Sequence, residues 1–272
     1  TSSDGSIAGG NGSWTATSSN WTDQSGSANA RWGDLTGVFS GASGTVEIDG
    51  AQRVRGLQFV TDGYLLRDAD SNGSLVLADA GADVRADSGA SERIADTSAL
   101  VVEGGTFAVG EFVETVGSLS GSGGVIDLGQ TGAGRLIINQ TVDGNYAGNV
   151  VGNSDLDTSS ALVKEGAATL ILSGTSTQTG LSAVDVNAGR LAVTGGNDET
   201  LGGLAMGNGQ VLLNDSTLTL RSTALQALRN AANISGTGKV IIDGSGAQYF
   251  DSASSYTGGT TISNGLLITQ NA

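Results

Sequence analysis

The chain has no cysteine, no proline and no histidine, and aromatic residues make up 4% of its 272 positions. Without cysteine there is neither a disulfide framework nor a thiolate metal site. Without histidine and cysteine, Ser-His-Asp hydrolysis, cysteine nucleophiles and imidazole-bound zinc are excluded too, so an enzyme would have to work with carboxylates, Arg, Lys or Tyr. Positive charge is also scarce: 12 Lys and Arg stand against 27 Asp and Glu, a formal net charge of -15. Nucleic acid and anionic membrane surfaces are therefore poor partners, and no nucleic acid is expected to bind. No apolar run reaches the length of a membrane helix, and the opening TSSDGSIAGGNGS has neither the basic nor the apolar region of a signal peptide.

What the chain does have is 45 glycines, an apolar fraction of 38% and a mean hydropathy of +0.01. The apolar residues recur in short alternating runs, which is enough to build a core and separates the chain from a disordered glycine-rich tract. A unit made of a small residue and alternating aliphatics returns as GSLVL at 73–77, GTFAV at 105–109, GVIDL at 124–128 and GRLII at 134–138. It continues as ATLIL at 168–172, GRLAV at 189–193, GQVLL at 209–213, STLTL at 216–220, GKVII at 238–242 and GLLIT at 265–269. Alternation puts Leu136 with Ile138, Leu170 with Leu172, and Leu191 with Val193 on a common face. Thr169, Arg190, Gln210, Lys239 and Leu266 follow each other at intervals of 21, 20, 29 and 27 residues, which reads as successive turns of one stack.

These units predict a β-solenoid. A single turn cannot bury its own apolar face, so it must lean on neighbours about 4.8 Å away. The missing prolines agree, because a ladder through every strand leaves few places for a residue without an N–H. Residues 1–50, which hold Trp14, Trp21 and Trp32, are expected to form opening or capping turns, and residues 51–272 one continuous solenoid. Ser222 to Asn233, STALQALRNAAN, predicts a short decorating helix over 222–233, with a cap at Ser222 or Thr223 and helical spacing at Leu225 and Leu228.

With the units laid out, the sequence resembles the autotransporter-associated β-strand repeat of passenger regions in bacterial type V secretion. SYTGGTTISNGLLI, Ser255 to Ile268, LVKEGAATLILSG, Leu162 to Gly174, and VGSLSGSGGVIDLG, Val116 to Gly129, carry the likeness. GSWTATSSNWTD, with Trp14 and Trp21, is similar to the opening of such cassettes. At Ser176 to Ala188 the recurring motif is degraded to STQTGLSAVDVNA. The resemblance implies a right-handed parallel β-helix and a place at the cell surface, outside the outer membrane of a Gram-negative bacterium. It also implies a piece of a longer chain whose own outer-membrane barrel is a partner. The role implied is a stalk or an adhesin that meets host or bacterial surface ligands, with self-association as a further possibility. The chain itself has no aromatic girdles of a membrane barrel.

One pattern points to chemistry. DADSNGSLVLAD places Asp68, Asp70 and Asn72 at alternate positions, glycine sixth and Asp79 twelfth, as a calcium loop does. Its last ligand is Asp rather than Glu and its flanks read as strand, so a turn in which Asp and Asn support the backbone is the alternative. Asp83, Asp87, Glu92 and Asp96 sit in a polar stretch with Arg85 and Arg93, the composition of a solvated surface. Ser88 has no histidine to activate it, and no catalytic residue is assigned. The tryptophans are expected to be packing, with sugar stacking as the alternative.

Overall fold

The computed structural model describes residues 4–61, 63–68, 73–77, 83–85, 93–110, 112–129, 134–152, 162–174, 184–194, 196, 198–205, 207–222, 228–230 and 233–270. Its strands run in circuits of three. Ala99–Val102, Thr106–Ala108 and Val113–Val116 make one circuit, and Ser118–Ser120, Val125–Asp127 and Arg135–Asn139 the next. Each strand pairs in parallel with its counterpart one circuit on: Leu100 with Leu119, Phe107 with Ile126, Glu114 with Leu136. The all-β parallel solenoid expected from the repeats is thus the fold. Among the described residues the one antiparallel pairing is Trp21–Thr22 with Asn29–Ala30.

The core follows from alternation combined with register. In-register stacking puts like residues above like, so Leu57, Val84, Phe107, Ile126 and Val150 form one column, each no more than 4% exposed. Leu170, Leu191, Val211 and Ile234 form another, all at 0%. Each fully buried aliphatic of this kind contributes about 1.5–3 kcal/mol. At the corners the rungs approach so closely that only glycine fits: Gly121 has φ +145°, and a Cβ there would lie 1.9 Å from the Val102 carbonyl oxygen. On the outside, Arg221 and Asp243 pair at 3.2 Å, as do Arg229 and Asp251. Exposed pairs like these add about 0–1 kcal/mol each.

Some residues sit elsewhere than the sequence suggests. Thr169, Arg190 and Gln210 are successive rungs, but Gln210 pairs next with Asn233, while Lys239 lies on the neighbouring face opposite Thr217. All three faces carry the same aliphatic alternation, so spacing alone does not say which face a unit joins. Where the stretch 222–233 expected to be a helix is described, it is strand: Leu228–Asn230 pairs with Gln248 to Phe250, and Asn233–Gly236 is the next strand. Residues 223–227 and 231–232 lie outside the described residues. Sheet pairing there overrides a helical spacing that has only two leucines to support it. No break in pairing falls at residue 50, since Thr45–Ile48 stacks on Leu65–Asp68 and Thr36–Phe39 on Gly56–Phe59.

Candidate functional site

The N-terminal end of the stack gathers the aromatic side chains. Trp14 ends the strand Gly12–Trp14, opposite Ile48 of the next rung, so its indole enters the interior, where it is 1% exposed. The chain then makes a hairpin whose turn is held by Asp23. Ser25 Oγ donates to its carboxylate at 2.8 Å and the Ser27 N–H at 2.9 Å. Those two hydrogen bonds hold the Asp23 carboxyl below its usual range. The hairpin brings Trp21 and Trp32 onto Trp14, with ring centroids 4.9 and 4.8 Å from it and 4.4 Å from each other. Gly37 lets this happen, because a Cβ there would lie 3.0 Å from the Trp21 ring. Phe39 packs edge-on to Trp21 at 5.5 Å and stacks on Phe59 at 4.9 Å.

The polar tips of this cluster are unequally served. Trp32 Nε1 donates to the Arg53 carbonyl at 2.6 Å, and the Tyr64 hydroxyl donates to the Ser40 carbonyl at 2.9 Å. Trp14 Nε1 is buried and has no hydrogen-bond partner. Leaving such a donor unsatisfied costs about 1–3 kcal/mol. Beside it opens a cavity of about 800 Å³, walled by the three indoles, Phe39 and Tyr64 and rimmed by Gln24, Arg31 and Gln58. Leu35 and Val38, 58% and 48% exposed, continue the apolar surface at its mouth.

Of the calcium pattern, Asp70, Asn72 and Asp79 lie outside the described residues. Asp68 ends the strand Leu65–Asp68 at an inward position, 7% exposed, with its N–H donated to Ser98 Oγ at 2.8 Å. Gly73 is accounted for by stacking, since a Cβ would lie 2.4 Å from the Ile48 carbonyl oxygen. Asp87, Ser88 and Glu92 also lie outside the described residues, Asp96 is exposed, and Arg93 is 3% exposed.

Four buried polar side chains escaped the sequence reading. The Glu114 carboxylate accepts the N–H groups of Arg93 and Ile94 at 2.8 and 2.6 Å. Gln140 and Gln248 bond the Leu119 and Leu204 backbone amides, accepting from the N–H at 3.1 and 3.0 Å. Lys164 Nζ donates to the carbonyls of Glu165, Gly166 and Ala188 at 2.5, 2.9 and 3.2 Å, so one amine ties two turns together. Desolvation pushes it down to about 8, against the opposing pull of Asp143 and Glu165. The signal was present: VETV and LVKE put Glu114 and Lys164 at inward positions of an alternating strand.

Residues 162–193 and 243–268 match the family model of the passenger-associated-transport-repeat, and both stretches contribute rungs to the β-solenoid. Over 249 residues it is 31% identical to the adhesin BmaC autotransporter of Brucella suis biovar 1 (strain 1330), a match covering 77% of this chain and 7% of that protein. The chain therefore spans about 7% of the length of the curated relative it matches. No solved structure matches.

Proposed function

We propose that this region is a non-enzymatic, rod-like stalk of a surface protein exported by the autotransporter route, tethered by an outer-membrane barrel elsewhere in its own chain. Its folding biases export outward. The observation that carries this reading is the parallel stack that runs through the described residues from Gly12–Trp14 to Thr260–Thr269, with aromatics closing its N-terminal end. Each rung templates the next through parallel backbone pairing, whereas an end plugged by side chains from outside the repeat does not. Folding that starts at the C-terminal end and finishes at the tryptophans fits that asymmetry. The test is surface display of the full-length protein: Val240→Asp and Ile242→Asp should reduce display more than Val46→Asp and Ile48→Asp. Equal losses at both ends would count against directional folding.

A second reading, attachment to another surface, has the tryptophan-walled cavity in its favour. Calcium across Asp68, Asp70, Asn72 and Asp79 is a further proposal, supported by their spacing. Thermal melts with and without chelator decide it: a lower midpoint in chelator supports the ion, and an unchanged midpoint removes it.

A further inference from the structure

We infer that the N-terminal cavity is a binding site for a neutral oligosaccharide. The inference rests on the attachment reading and gives it a ligand class. At about 800 Å³ the cavity falls within the range of small-molecule sites, and its walls combine flat apolar rings with a few polar groups. The C–H faces of a sugar ring are apolar and its edges carry hydroxyls, so it needs an aromatic surface flanked by donors and acceptors. Both are here. Trp21 and Trp32 are half-buried, leaving ring surface to solvent, and they stand 4.4 Å apart at 45°, which makes an angled platform.

Around that platform the side chains of Gln24, Arg31 and Gln58 are exposed and, among the described residues, have no hydrogen-bond or ion-pair partner. They offer amide oxygens, amide N–H groups and a guanidinium, the mixed set that hydroxyls require. Trp14, at the wall, keeps a buried Nε1–H with no acceptor, although every other polar tip of the cluster is partnered or reaches water. That nitrogen is shielded from water, so a ligand is met by the Trp21 and Trp32 rings and the rim side chains rather than by this donor. Charge selects among sugars. The chain carries -15 overall, and Asp23 lines the cavity along with Arg31, so sulfated, sialylated or phosphorylated glycans are disfavoured relative to neutral ones.

All three tryptophans of the chain line this one cavity, so their emission reports on it without background. The experiment titrates the folded protein with neutral di- to tetrasaccharides of glucose, galactose and N-acetylglucosamine, and with sialylated counterparts. A saturable emission shift with a neutral sugar is expected. In the Gln24→Ala, Arg31→Ala, Gln58→Ala triple variant it should weaken about tenfold or more with an unchanged melting midpoint. Trp21→Phe should weaken it while keeping the packing. No shift with any neutral sugar, equal affinity in the triple variant, or tighter binding of sialylated glycans would each overturn the proposal. Beads coated with the protein and applied to cells separate this from adhesion in general: attachment that survives removal of cell-surface glycans keeps adhesion and sinks the sugar site.

Discussion

At the N-terminal end Trp14 lies 1% exposed under a hairpin that carries Trp21, while at the C-terminal end Ile262 and Leu266 are 55% and 53% exposed. The sequence marks both sets as core, and the difference is one of neighbours. Among the described residues Thr260–Thr269 stacks on Lys239–Phe250 alone, which leaves Ile262 and Leu266 covered on one side. At the other end Gly12–Trp14 also has a single stacking partner, Thr45–Ile48, yet indoles folded back from the hairpin fill the space that another rung would take. In a stacked fold burial is a property of the pair of rungs, and an end is closed only by bulk brought from outside the repeat.

The largest expected effect breaks the closed end. Trp14→Ala should cost about 3–5 kcal/mol, the range for removing a large buried aromatic. Because each turn contacts mainly its neighbours, the loss should be local. Amide exchange should accelerate across Thr45–Ile48 and leave Gln210–Asn214 protected. Uniform acceleration would show that the rod unfolds as one unit and that its ends are not separable.

How much of this difference is legible in the sequence depends on what sets each feature. Alternation reports inward and outward directly, so Leu170 with Leu172 and Leu191 with Val193 are buried as read. Which face a unit joins depends on corner lengths, and Lys239 was therefore misplaced beside Gln210. Glu114, Gln140, Lys164 and Gln248 look like surface residues because their partners are backbone groups of other rungs, often more than 20 residues away. The tryptophans announce a cluster by composition. The cavity beside them exists only once the Trp21–Thr22 and Asn29–Ala30 strands pair and fold back, which no periodicity records.

A smaller effect separates the middle of the rod from both ends. Lys164 has a folded value of about 8 against an ordinary 10.5, so below pH 8 both folded and unfolded chains hold its proton. Between those values the unfolded chain binds more protons, and stability rises with pH. Denaturant midpoints taken from pH 8 to 10 should climb in the wild type and lose that component in Lys164→Met. A climb that persists in the variant would assign it to another group.

The smallest effect belongs to the open end, and it tests the comparison most directly because the two residues concerned face each other. Ile242 and Ile262 are register partners in adjacent rungs, 2% and 55% exposed. Ile242→Ala removes a side chain enclosed above and below and should cost about 2–5 kcal/mol. Ile262→Ala removes one with a single covered side, and the loss should stay below about 1 kcal/mol. If one more solenoid turn is fused after Ala272, the second value should rise toward the first while Ile242→Ala is unmoved. Equal costs in the present chain would mean that the end rung already gains its burial elsewhere, and the contrast between a plugged end and an open one would fail.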